Sequence, residues 1–232
     1  MSKPAPFTAR GLRAGAIGVT SLMPTVGMYG VAFGIMAGAA GLSTLEAVFL
    51  SGWVNAGGAQ MASLQSWADP VPILAVCLTT LAMNARYLLL GATLRPWFGG
   101  LPGSRVYSSL FVLGDGNWAM AMREYAQGRN DAAFLLGSGI VMWMTWVAST
   151  AIGHAFGAIL TRPERFGIDF MLAAFFAAMA LDFYRAAKGL LPLVVGVATA
   201  IVVERLFAGP WYILAGALAG SLAGALRHVD AR

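Results

Sequence analysis

Residues 43–66 read STLEAVFLSGWVNAGGAQMASLQS, an apolar stretch with Glu46 as its one charge and a small polar run, Asn55-Ala56-Gly57-Gly58-Ala59-Gln60, at its middle. About 20 apolar residues span the hydrocarbon core of a bilayer as a helix, so the stretch is long enough to cross. Ser43, with Glu46 three positions on, carries the capping-box pattern and predicts a helix start. Adjacent glycines each weaken a helix by about 1 kcal/mol relative to alanine, which predicts an interruption over 55–60. Broken backbone at membrane depth survives only buried in protein or lining a cavity. Its freed amides and carbonyls can hold the carboxylate and ammonium of a small zwitterion, as half-helix ends do in transporters. The same residues also suit a close helix crossing with Asn55 and Gln60 bonding across it. The sequence leaves both readings open, and does not say whether 43–66 spans or re-enters.

The rest of the chain follows the same pattern. Apolar segments recur at about 14–40, 73–94, 132–160, 170–184, 190–203 and 211–226, with a less hydrophobic one at 106–122 interrupted by Gly114-Asp115-Gly116-Asn117. Charged residues are 11% of the chain against about 25% in soluble domains, and mean hydropathy is +0.72. Alternating segments of about 10 residues, the mark of a membrane barrel, are not seen. The expected fold is therefore an all-α polytopic integral membrane protein of seven to eight hydrophobic helices, with discontinuous or re-entrant segments. Residues 1–13 are polar and basic and read as a cytoplasmic N-terminal segment. The apolar run after them outlasts the 7–15 residues of a signal-peptide core, and Pro24 predicts a kink in it. Residues 14–228 read as one transmembrane domain. Phe33-Gly34 followed by Gly41-Leu42-Ser43 is echoed by Phe156-Gly157 followed by Gly167-Ile168-Asp169, suggesting inverted repeats over 14–110 and 130–228.

Glycines at every fourth position (Gly30, Gly34, Gly38; Gly153, Gly157; Gly216, Gly220, Gly224) predict close helix packing. The net charge of +5 comes from basic residues placed singly or in pairs at segment ends, the distribution of topology-setting charges. No dense basic patch speaks for nucleic acid, and the lone Cys77 cannot form an internal disulfide.

Thr80, Asn84, Tyr87 and Gly91 fall on one helical face, and a polar stripe on an apolar helix points inward. Arg86, in the same helix, either snorkels to the interface or pairs with a carboxylate or a substrate anion. Asp115 is the first candidate for an intramembrane carboxylate in a proton-coupled step, with a plain turn residue as the alternative. Asp182 is the second, though its place three residues before Arg185 better suits an interfacial helix ion pair. Gly137-Ser138-Gly139 with His154 faintly suggests a serine hydrolase. No phosphate-binding loop or metal-ligand spacing occurs, so neither enzyme activity nor a cofactor is expected.

The order Gly30-x-x-Phe33-Gly34, Gly41-Leu42-Ser43-x-x-Glu46-Ala47, Gly57-Gly58-Ala59-Gln60, Thr79-Thr80-Leu81-x-x-Asn84-x-Arg86 and Leu89-Leu90-Gly91 resembles the AzlC family, the large subunits of bacterial branched-chain amino acid exporters. The likeness is dense over residues 27–95 and loose beyond. It implies a secondary transporter subunit that exports branched-chain or other hydrophobic amino acids across the bacterial plasma (inner) membrane. It also implies a small hydrophobic AzlD-type membrane partner. Tyr87, Gly116 and Asn55 depart from the family pattern in the polar lining. The expected substrate residues are Asn55, Gly57, Gly58, Ala59, Gln60, Thr80, Asn84 and Arg86, with Asp115 and Asp182 for proton coupling. The alternative is a non-transporting membrane scaffold subunit, for which glycine packing is the whole story.

Overall fold

A computed structural model of the chain describes residues 5–65, 67, 70–159, 177, 181, 190–207 and 211–229. The chain divides into two compact units, one made of Met1–Leu64 with Asn84–Ile168 and the other of Gln65–Met83 with Asp169–Arg232. The described residues contain helices and connections with no strand.

In the first unit, α1 (Ala9–Gly18) starts where the Thr8 hydroxyl accepts the Gly11 N–H. It runs through a 3-10 turn, Val19–Leu22, into α2 (Met23–Ala39). The predicted kink takes that form because proline lacks an N–H and its ring crowds the carbonyl four residues back, so the helix tightens just ahead of Pro24. The capping box is formed: Ser43 N–H and Oγ both bond Glu46 Oε2 at 2.7 Å, and α3 spans Thr44–Val54. After it come α4 (Gly57–Gln65), α5 (Ile73–Asn84), α6 (Arg86–Thr93), α7 (Arg95–Phe98), α8 (Gly103–Phe111), α9 (Asp115–Ala126) and α10 (Ala133–Ile159). The second unit holds α5 up to Met83 together with α11 (Leu191–Leu206) and α12 (Trp211–Val229).

Among the described residues, three helical runs are long and apolar enough to cross a bilayer: Ala9–Ala39, Ile73–Thr93 and Ala133–Ile159. Large apolar side chains such as Phe49, Leu88 and Phe156 stand exposed, the surface expected where lipid is the solvent. The chain is a helical membrane protein.

The central post of the first unit is α10, and glycine decides what packs on it. A Cβ added to Gly34 would lie 2.2 Å from the Thr150 carbonyl oxygen, and one added to Gly153 2.1 Å from that of Val31. A Cβ added to Gly15 would likewise run into the Phe134 carbonyl oxygen, and one added to Gly137 into the backbone of Leu12. The predicted stripes on α2 and α10 therefore face each other, backbone against backbone. In the second unit Gly196 and Gly216 bring α11 and α12 together in the same way.

Two connections differ from expectation. Pro96, Gly99, Gly100, Pro102 and Gly103 predict a loop over 95–105, yet residues 95–98 form α7, because Trp97 and Phe98 bury in a cluster with Leu94, Leu113, Ala121, Ala132 and Leu135. The interruption expected at 114–117 falls at 112–114, and Asn117 is helical. Asp182 and Arg185 lie outside the described residues.

Candidate functional site

The interruption of residues 43–66 is narrower than the sequence suggests. It consists of Asn55 and Ala56, and Gly57–Gln60 already form the first turn of α4. Asn55 adopts φ +43, the left-handed conformation that asparagine tolerates better than most residues and that commonly ends helices. In a straight helix Ser51 and Gln60 would lie about 13 Å apart along the axis. Instead the Gln60 amide donates to Ser51 Oγ at 3.2 Å, so the chain turns sharply at 55–56.

Gln60 is 1% exposed, and both ends of its side chain are occupied. Its Oε1 accepts the Trp146 indole N–H at 2.9 Å. Ser51 Oγ pairs with Thr150 Oγ1 at 2.8 Å, and Thr150 donates to the Trp146 carbonyl. This network fastens both halves of the broken helix to α10. Gly57 is needed beside it, since a Cβ there would stand 2.5 Å from the Trp146 ring. Ala59 is buried beside Gln60, as is Gly58, while the Asn55 amide reaches the Phe111 carbonyl at 3.5 Å.

Arg86 and Asp115 form a second constellation. Their side chains pair at 2.9 Å, with 22% and 47% of each exposed. Only Asp115 lies beside irregular backbone, opening α9 after 112–114, while Arg86 follows Ala85, whose φ −53 and ψ −29 keep the run Ile73–Thr93 helical. Arg86 also lies 5.3 Å from the Tyr87 ring, a cation–π contact. Of the two fates open to Arg86, the structure shows the pairing with a carboxylate. Asn84, two positions before it, has a buried Oδ1 without a hydrogen-bond partner among the described residues. Thr80 belongs to the other unit, and it is Thr79 that is buried, at 3% exposure.

The interruption at 112–114 is closed by Asn117, which is fully buried. Its Oδ1 accepts the Gly114 N–H at 2.7 Å, and its amide donates to the carbonyls of Val112 and Leu135. Sequence reasoning missed Asn117, Ser51, Trp146 and Thr150. For Asn117 the signal was present, an amide just past a glycine break, while the other three are ordinary helix residues until the fold brings them to Gln60.

The hydrolase pairing fails on geometry. Ser138 and His154 share α10, 16 residues or about 24 Å apart. Ser138 Oγ bonds back to the carbonyls of Phe134 and Leu135. His154 clasps the α2–α3 turn, Nε2 to the Leu42 carbonyl at 2.8 Å and Nδ1 to Thr44 Oγ1 at 3.0 Å.

Residues 21–160, from the 3-10 turn through α10 with both constellations, match the profile of the family described as AzlC protein. The chain belongs to the AzlC family. Relatives cover most of its length. The inner membrane protein YgaZ of Escherichia coli (strain K12) is 29% identical over 96% of this chain and 94% of its own. The branched-chain amino acid transport protein AzlC of Bacillus subtilis (strain 168) is 22% identical over 82% and 74%. An uncharacterized membrane protein of Helicobacter pylori (strain J99) is 21% identical over 81% and 82%. No solved structure matches this AzlC-family chain.

Proposed function

We propose that this chain is a secondary transporter subunit exporting branched-chain and other hydrophobic amino acids across a bacterial inner membrane. It works with a small AzlD-type membrane partner and is coupled to protons. The family and the name of the Bacillus subtilis relative support amino acid transport. The observation that carries the reading is the Arg86–Asp115 pair at 2.9 Å, Arg86 within an apolar helical run and Asp115 at the interruption of 112–114.

An amino acid presents one carboxylate and one ammonium at fixed separation. A guanidinium matches the carboxylate with parallel N–H donors, and a carboxylate accepts from the ammonium. The protein's own pair closes on itself when empty and opens onto a zwitterion when loaded, so neither charge stands unpaired in apolar surroundings, which would be costly. The Oδ1 of Asn84 supplies a further acceptor for the ammonium. Protonation of Asp115 would release Arg86, linking proton and substrate; Asp182 is the second coupling candidate. Asn55 and Gly57–Gln60 contribute by placing the bent helix.

The test is efflux of labelled leucine, valine, isoleucine and methionine from cells carrying the chain with an AzlD-type subunit. The chain should lower accumulation of at least one of the four. Arg86→Gln and Asp115→Asn should each reduce efflux about tenfold or more, as loss of a charged contact worth about 2 kcal/mol would. Unchanged accumulation of all four, with stable protein present, refutes the transport reading and leaves the scaffold alternative.

A further inference from the structure

We infer that α8–α9 is a half-crossing hairpin entering from the cytoplasmic side, and that the Arg86–Asp115 site is reached by water and substrate from that side. The second half rests on the proposed transport function; the first does not.

The hairpin follows from where its ends and its tip lie on α10. Residues just before α8 and at the end of α9 meet, with the Trp97 and Tyr125 rings 5.8 Å apart. Arg105, near the start of α8, lies over the Phe7 ring at 5.1 Å. Beyond α9, the Ala132 N–H bonds the Pro6 carbonyl, and Asp131 accepts from Thr8 at the start of α1. Both ends of α8–α9 therefore sit at the end of α10 where that helix begins. The tip does not: Gly139 abuts Val112 and Gly116 abuts the Met142 side chain. At 1.5 Å per residue these contacts are about 9 and 14 Å along α10 from Ala133. The chain enters, turns at 112–114 and leaves at the same end. Non-helical backbone at that depth must be buried in protein, and Val112 and Leu113 are each 6% exposed with Asn117 bonding the turn. Asp115, next to Gly116, thus stands about 14 Å in, with about half of its side chain accessible.

Charge gives the side. The end where α8–α9 enters collects Arg10, Arg13, Arg95, Arg105, Arg123 and Arg129 against Glu124 and Asp131. The opposite end has the α2–α3 turn, with no Lys or Arg anywhere in residues 14–85, and is followed in sequence by Arg162 and Arg165 with Glu164. Short-loop Lys/Arg excess marks the cytoplasmic face.

The experiment uses the full chain with Cys77→Ser and single cysteines probed by a membrane-impermeant maleimide in intact cells and in inverted vesicles. Ser104→Cys and Gln127→Cys should both label from the inside only, and Ala39→Cys from the outside only. Labelling of Ser104→Cys and Gln127→Cys from opposite sides overturns the hairpin, and labelling of both from outside overturns the sidedness. Asp115→Cys should react with a small charged thiosulfonate in inverted vesicles at least tenfold faster than in intact cells; the reverse preference overturns cytoplasmic access. None of these readouts requires transport, so failure of the topology and failure of the transport reading are separable.

Discussion

Replacing Gly34 by alanine puts the packing of α2 on α10 to a graded test. The new Cβ would lie 2.2 Å from the Thr150 oxygen and 2.6 Å from the His154 nitrogen, all of it backbone. Unstrained contacts of carbon need roughly 3.5 Å, so the two helices must part by about 1 Å. Overpacking of that kind costs about 1–3 kcal/mol, and a backbone clash belongs at the upper end. Alanine returns about 1 kcal/mol of helix propensity, leaving a net loss of roughly 2 kcal/mol. The parted helices also strain the Ser51–Thr150 and His154–Leu42 bonds, whose partners bridge to α10. Gly38 is the control, since its Cβ would meet the His154 ring at an ordinary 3.5 Å, while Gly30 is intermediate at 2.7 Å from Ser149 Cβ. Thermal unfolding of detergent-purified protein should rank Gly38→Ala as near wild type, Gly30→Ala lower and Gly34→Ala lowest. A Gly34→Ala protein as stable as wild type, or a Gly38→Ala protein less stable than it, refutes the reasoning.

Asn117→Ala strands the Gly114 N–H and the Val112 carbonyl in a buried turn, and should destabilise the protein by about 2 kcal/mol in the same unfolding assay. Ser138→Ala should leave efflux unchanged. His154→Ala should lower stability by about 1 kcal/mol through loss of its two bonds. At the end of α9, the hydrogen bond from Arg129 holds the Glu124 carboxyl below its ordinary value of 4.5, with burial opposing. A depressed acid contributes stability above its unfolded pKa and loses it as pH falls through the lower folded value. The stability difference between wild type and Arg129→Gln should therefore be present at pH 6 and vanish on acidification well below 4.5.

The membrane class, the capping box at Ser43, the disturbance ahead of Pro24 and the glycine faces were legible because each depends on spacing within one helix. The interruption at residue 55 was legible in kind but misplaced in position. Adjacent glycines lower helix propensity, yet Gly57 is there to clear the Trp146 ring, and Asn55 takes the left-handed turn. The Arg86–Asp115 partnership joins residues 29 positions apart in sequence, and no local pattern encodes it. Ser51, Trp146 and Thr150 escaped notice for the same reason. The α7 helix was missed because Pro96 and the glycines and proline that follow it read as loop, while burial of Trp97 and Phe98 decides it.

The most direct test of the account is binding of leucine, leucinamide and N-acetylleucine to the purified protein by calorimetry. Leucinamide lacks the carboxylate and N-acetylleucine lacks the ammonium. The wild-type chain should bind leucine more tightly than either; Arg86→Gln should erase the preference over leucinamide, and Asp115→Asn the preference over N-acetylleucine. Leucine binding at wild-type affinity and selectivity in both variants would contradict the claim that this ion pair receives the substrate.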